Sequence, residues 1–335
     1  MLKNVIDDIE SGIKPTEGQL KQLLDTNPDN WIYIFRRADT VRKKYMGDEI
    51  HIRAIIEFSS YCRRHCAYCG LNALNASAER YRMTPTEIIE TAIEGWEAGY
   101  KTVVLQSGED SWYTPQILGD IVYEIRSNTG MRVTLSCGEM PTEDYKYLRE
   151  CGANRYLLKH ETASSEIYSG LHPCGTLANR VRCLRDLKRL GYETGSGFMI
   201  GLPGQTTQTI AEDIMLINSI PCDMAGIGPF IPCEGTPLQS CPPGSALLTK
   251  KAVALTRLTV KNIHLPATTA LGVLDAQEKI DIFSCGANVV MRKITPPKYR
   301  DLYKIYPADF GSPKSIAAER RELEEYIRGI GRIPV

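Results

Sequence analysis

Three cysteines stand close together in the stretch FSSYCRRHCAYCGLN, at Cys62, Cys66 and Cys69, and no further cysteine occurs until Cys137. Thiolates are the usual ligands of iron–sulfur clusters, and a cubane cluster has four irons to ligate. C-x3-C-x2-C spacing therefore predicts a 4Fe-4S cluster held through three irons, with the fourth left open. An open coordination position marks a reactive metal site, as it does for catalytic zinc. The alternative is a structural zinc site, for which His65 offers a fourth donor. Zinc sites normally use two C-x2-C pairs or a Cys/His quartet, and His65 beside Cys66 would strain the turn.

Something must position that loop. From His51 onward, short apolar runs alternate with amphipathic stretches: HIRAIIEF, KTVVLQSGE, RVTLSCGE, RYLLKHET, ETGSGFMIGLP, MAGIGPFIP, LPATTALG and ANVVMRKI. Between them lie helical patterns such as TPTEIIETAIEGWEAG, where Thr84, Pro85 and Glu87 form an N-terminal capping signature. Eight strands alternating with helices predict an α/β fold, a (β/α)8 barrel of TIM type, whose chemistry sits at the C-terminal ends of the strands. The rival is an open doubly wound sheet, but no G-x-G-x-x-G follows the first strand. Residues 1–48 read as a helical N-terminal extension, 49–307 as the barrel and 308–335 as a C-terminal helical segment.

The loop and the strand ends together resemble the radical S-adenosylmethionine superfamily. That resemblance implies S-adenosylmethionine (SAM) chelated to the open iron and split by an electron from the cluster, giving a 5'-deoxyadenosyl radical or an adenosyl–product bond. Candidate cofactor contacts follow from the family's motif positions. Tyr68 precedes the last cysteine, and Gln106 and Ser107 open the polar stretch Gln106–Asp110 at the end of strand 2. Glu161 lies at the end of strand 4, with Arg180 on the next helix to clamp a carboxylate. Strand 5 carries Gly195, Gly197, Gly201 and Gly204 around Met199 and Ile200, along which an adenine ring would lie. Each has a plainer reading: Glu109 and Asp110 as a capping turn, Glu161 and Arg180 as a rim ion pair. Alternation along strand 4 puts Arg155, Lys159 and Glu161 on one face and His160 on the other.

Read together with GLPGQT, GIGPFIPCEGTPL, SCGANVVM and LYKIYP, the sequence resembles the HydE family, radical enzymes that help build the active-site cluster of FeFe-hydrogenase. Biotin synthase and methylornithine synthase resemble it more broadly. The HydE resemblance implies an organometallic substrate, a cysteine-bound iron with carbonyl and cyanide ligands. It implies cavity residues at Thr134, Arg155, Lys159, Met224, Thr268, Thr269, Tyr303 and Tyr306. It also implies an electron donor such as ferredoxin or flavodoxin, and other hydrogenase maturases as partners. An amino-acid mutase acting on another small molecule, like methylornithine synthase, keeps the same chemistry with a different substrate. The sequence departs from the family at Lys159, where the pattern has arginine and its planar fork. Cys233 and Cys241 echo part of a second-cluster motif but lack its third member, so no second cluster is expected.

Forty Lys and Arg balance forty Asp and Glu, so no net charge draws the chain to nucleic acid or to a membrane surface. An odd number of cysteines, eleven, with no export signal, favours reduced thiols and a cytoplasmic protein.

Overall fold

The structure, a computed structural model, describes residues 2–308 and 314–335. Eight parallel strands form the barrel wall: β1 (Glu49–Ser59), β2 (Thr102–Ser107), β3 (Arg132–Ser136), β4 (Arg155–Leu157), β5 (Glu193–Ile200), β6 (Met224–Pro229), β7 (Pro266–Ala267) and β8 (Val289–Lys293). Their order is β6-β5-β4-β3-β2-β1-β8-β7. The two ends of this path meet at a seam, bridged from Met224 to His264. There the Ala225 N–H donates to the His264 carbonyl at 3.0 Å, and the His264 N–H to the Asp223 carbonyl at 2.9 Å. The expected barrel is therefore present and nearly closed.

Alternation along β1 explains both faces of the wall. Ile52, Ala54, Ile56 and Phe58 are buried against the surrounding helices, while Arg53, Ile55 and Glu57 line the interior cavity. The helix Pro85–Glu97 starts as its sequence predicts. Thr84 Oγ1 accepts the Glu87 N–H at 3.2 Å, and the Glu87 carboxylate accepts the Thr84 N–H at 2.7 Å. Helices Leu2–Ser11, Glu17–Leu24 and Pro28–Met46 precede β1. Near the other end of the chain, Ile333 and Pro334 add a short parallel pairing to Glu49 and Ile50 of β1. Among the described residues, no helix is long and apolar enough to cross a membrane.

Two strands end sooner than their sequences suggest. β7 is two residues long because the chain turns at Thr268 into the helix Thr269–Leu274, whose Ala and Leu residues favour helix over strand. β4 stops at Leu157, and the chain then bends so that Glu161 takes φ of 65° and rejoins the wall by a single bridge to Phe198. The end of the expected C-terminal segment, the helix Ile316–Gly329, is present, while residues 309–313 lie outside the described residues.

Candidate functional site

The C-terminal ends of the strands enclose a cavity of about 370 Å³. A wider, open depression of about 610 Å³ lies elsewhere, beside the first helix. Two of its charged groups are already engaged, Lys188 with Asp223 at 2.6 Å and Lys261 with the Glu10 carbonyl at 2.7 Å.

Cys62, Cys66 and Cys69 all line the cavity, on an irregular loop that β2 and the segment after β8 support. At Gly108 a Cβ would collide with the Tyr61 carbonyl and approach Cys62 Cβ to 2.7 Å, so only glycine lets the loop lie on the end of β2. Cys62 Sγ accepts the backbone N–H groups of Arg64 at 3.4 Å and Glu109 at 3.3 Å. At the loop's far end, the Gly70 N–H donates to the Ile305 carbonyl at 3.0 Å.

Burial pushes the Cys62 thiol up; burial and the neighbouring Cys62 push Cys66 up to about 12; burial and Cys66 raise Cys69 well above the usual range. Three half-buried thiols that resist ionising alone become thiolates when a cationic group shares their charge. That donor set fits an iron–sulfur cluster. Among the described residues, no three His, Cys, Asp or Glu side chains are gathered to hold a single metal ion. A cubane, by contrast, takes each thiolate on a different iron.

Charged side chains from successive strand ends are tied together beside the loop. Arg64 donates to Glu109 at 2.5 Å and to Glu139 at 3.0 Å. Arg180 donates to Glu139 at 2.7 Å and to the Lys159 carbonyl at 2.8 Å, and Asn179 donates to Glu139 at 2.7 Å. Arg180 therefore pairs with Glu139 rather than Glu161, and the rim pair considered from sequence does not form. Glu161 is instead 3.0 Å from Lys159 Nζ. Asp110 does not cap a helix; it accepts from Ser59 at 2.6 Å and Arg82 at 2.7 Å.

Of the cofactor positions, Tyr68, Gln106, Ser107, Glu161, Arg180 and Met199 line the cavity. Ile200 does not, because strand alternation turns it into the wall. The Tyr68 hydroxyl is 3.1 Å from His172 Nε2, and Gln106 Nε2 donates to the Tyr303 hydroxyl at 3.3 Å.

Among the substrate positions, Thr134, Lys159, Met224, Thr268, Thr269, Tyr303 and Tyr306 line the same cavity. Thr134 Oγ1 and Thr268 Oγ1 are buried hydroxyl oxygens without a hydrogen-bond partner. Thr268 occupies a helix N-cap position yet makes no cap hydrogen bond, giving up a stabilisation of about 1 kcal/mol. Orphaned hydroxyls at a cavity wall are what a polar ligand would satisfy. Arg155 stands apart: it is absent from the cavity lining, paired with Glu193 at 2.5 Å and bonded to Thr102 at 3.1 Å.

Sequence reasoning missed four groups here. Glu139 follows Gly138 as Glu109 follows Gly108, and that repeated Gly-Glu at two strand ends was the available signal. At Gly138, φ of 85° and the adjacent Glu109 side chain leave no room for a Cβ. Arg53 and Glu57 are charges four residues apart in an otherwise apolar strand, hence on one face. Burial and nearby Arg155 lower Arg53 to about 9, and its guanidinium meets Met224 Sδ at 2.8 Å. Burial and Arg53 lower His264 to about 2, leaving it a neutral imidazole. Glu57, 2.6 Å from Lys293, is pushed up to about 7 by burial.

Comparison with known proteins places this arrangement. The family model described as the Radical SAM superfamily matches residues 56–217. The chain is 49% identical over 293 residues to the [FeFe] hydrogenase maturase subunit HydE of Thermotoga maritima, covering 87% of this chain and 84% of that one. It is 29% identical to 3-methylornithine synthase of Methanosarcina acetivorans, across 97% of this chain and 89% of that one. Among solved structures, the crystal structure of methylornithine synthase (PylB) superposes with a TM-score of 0.88 at 27% identity, covering 99% and 97% of the two chains. The maturase HydG shares the fold, with a TM-score of 0.86 at 19% identity over 99% of this chain and 75% of that one.

Proposed function

We propose that this chain, which belongs to the radical S-adenosylmethionine superfamily and within it to the HydE family, holds a 4Fe-4S cluster on Cys62, Cys66 and Cys69 and binds SAM beside it. Its role in this reading is assembly of the FeFe-hydrogenase active site, acting on a cysteine-bound iron carrying carbonyl and cyanide. The observation that carries the reading is one cavity lined by three local thiols, a charged rim and two orphaned hydroxyls.

When bound, the cluster and SAM together supply an electron and an adenosyl group. The chain's own residues bind and orient. Glu161 and Lys159 present opposite charges to a ligand that itself carries ammonium and carboxylate, while Arg180, fixed by Glu139, offers its cationic edge from the rim. Gln106, Ser107 and the Tyr68 ring shape the pocket around the cofactor, and Met199 gives a flat apolar ledge. Thr134, Thr268, Thr269, Tyr303 and Tyr306 offer hydroxyls to substrate oxygen and nitrogen acceptors. Arg53 adds positive charge at the same cavity, which favours an anionic substrate. A ferredoxin or flavodoxin would deliver the electron, and the other hydrogenase maturases would supply or receive the iron fragment.

Whole-chain similarity to methylornithine synthase favours a second reading, the same cofactors serving an amino-acid mutase. Anaerobic reconstitution separates the two. The expected result is a cluster whose electron paramagnetic resonance signal changes on adding SAM, with adenosylated product from the iron precursor and none from an aliphatic amino acid. A signal indifferent to SAM, or unchanged in Cys66→Ala, overturns both readings; turnover of an aliphatic amino acid alone selects the second.

A further inference from the structure

We propose that His160, Ser196 and Asp213 are positioning residues, a fully buried set that holds Lys159 and Glu161 on the cavity side of the wall through the Ser196 and Asp213 hydrogen bonds to the segment and the close approach of His160 to both. The inference rests on the reading of Glu161 as a SAM contact.

The segment after β4 needs such a device. Regular pairing ends at Leu157, and the next residues keep few ladder bonds, Leu158 N–H to the Gly195 carbonyl at 2.9 Å and Glu161 N–H to the Gly197 carbonyl at 3.0 Å. Glu161 has φ of 65°, and the Thr162 N–H closes back on the His160 carbonyl at 2.8 Å. Glu161 is therefore the middle of a three-residue turn in the left-handed region, an arrangement that is rare and strained for a residue with a side chain. Strain of this kind persists only where the surroundings over-determine it.

The three side chains do so from behind. His160 Nδ1 is 2.9 Å from Ser196 Oγ, and the Ser196 hydroxyl donates to the Leu158 carbonyl at 3.2 Å. Ser196 thus ties two points of the segment to β5. On the other side of the ring, His160 Nε2 lies 3.4 Å from Asp213 Oδ1, on the helix Thr207–Ser219. The same oxygen accepts the Ala163 N–H at 2.5 Å. One carboxyl group therefore faces the histidine within the turn and holds the backbone just beyond it.

All three residues are 0% exposed. Burying a histidine and an aspartate is costly, and an apolar filler would give more stability at less risk. Burial drives His160 down to about 3 and Asp213 well up, so both neutral forms are favoured and the set does not act as a charged pair. Ser, His and Asp in this order resemble a hydrolytic relay. Complete burial and the Ser196 hydroxyl's commitment to Leu158 exclude that role.

The test uses the full chain carrying its cluster, with SAM affinity read by equilibrium binding. Asp213→Leu and His160→Leu should weaken SAM binding about tenfold or more, while Asp213→Asn, whose amide oxygen still accepts the Ala163 N–H, should recover part of the loss. Iron content should stay unchanged. In a Glu161→Gln background, Asp213→Leu should add nothing, because the two act through one side chain. Hydrogen exchange of residues 157–164 in the chain without its cluster should accelerate in Asp213→Leu. If that variant does not fold, Ser196→Ala should weaken SAM binding about threefold, again only when Glu161 is present. Unchanged affinity in the folded variants, or losses that add to Glu161→Gln, overturns the proposal. If Glu161→Gln alone leaves SAM affinity intact, it is the underlying reading of Glu161 that fails.

Discussion

From β1 to β5 the strand ends carry carboxylates and guanidinium groups knotted together across loops, Arg64, Glu109, Glu139 and Arg180. From β6 to β8 the cavity is lined instead by Met224, Met291, Thr268 and Thr269, joined by Tyr303 and Tyr306 from the segment beyond. The radical SAM family model matches residues 56–217 and so covers the first region without the second. In the first region most charges are satisfied internally before any ligand arrives. In the second, the Thr268 hydroxyl is left open, as the Thr134 hydroxyl is on β3, and the wall closes through a single bridge. The contrast separates a preorganised side from an adaptable one. Preorganisation suits a cofactor common to a superfamily, and open hydroxyls suit a substrate that varies among its members.

Removing the centre of the charged region should have the largest effect. Glu139→Gln leaves Arg64 and Arg180 without their shared carboxylate, and breaking a buried pair of this kind costs about 3 kcal/mol. Denaturant midpoints would measure it, and a loss no greater than that of the next variant would dissolve the contrast. Thr268→Val tests the adaptable side. Its hydroxyl has no protein partner, so stability should hold or rise slightly. Substrate turnover should fall roughly tenfold to a hundredfold, as for a lost hydrogen bond of about 1–3 kcal/mol. SAM affinity should not change; a parallel loss of SAM binding would place Thr268 in the cofactor region.

The smallest effect concerns the joint between the regions. Glu87, on the helix after β1, accepts from Lys298 at 2.6 Å and from the Tyr299 hydroxyl at 3.1 Å, both beyond β8. The Lys298 hydrogen bond lowers Glu87 to about 2 from an ordinary 4.5. A depressed carboxyl stabilises the fold above its unfolded value and loses that contribution as pH falls from 4.5 towards 2. Water screens the pair, so Glu87→Gln should cost about 0.5 kcal/mol at neutral pH. The gap in melting temperature between variant and parent should narrow as pH falls from 4.5 and close only near pH 2; a gap independent of pH would mean the joint is not ionic.

The cysteine loop and the positions of all eight strands were legible because local spacing and alternation encode them. What escaped depends on closure. Arg53 meets Met224 only once the β6–β7 seam closes the barrel, and Arg155 finds Glu193 on the adjacent strand instead of a ligand. Glu139 acquires meaning from Arg64 and Arg180, which lie far from it in sequence. Ile200 was a matter of parity: with Met199 facing inward, its neighbour had to face out. The early end of β7 came from Thr268, a helix-starting residue whose hydroxyl serves the cavity rather than the cap.

The hydrogen bond from Gly70 to Ile305 also has a consequence in time. On the ribosome the three thiols emerge early, but the carbonyl that fastens the end of their loop is synthesised long after them. The pairing of β1 with β8, and of Glu49 and Ile50 with Ile333 and Pro334, is equally delayed. A finished three-cysteine pocket therefore waits for nearly the whole chain. If the three thiols hold a cluster as proposed, iron and sulfide reach a chain whose last strands are already made.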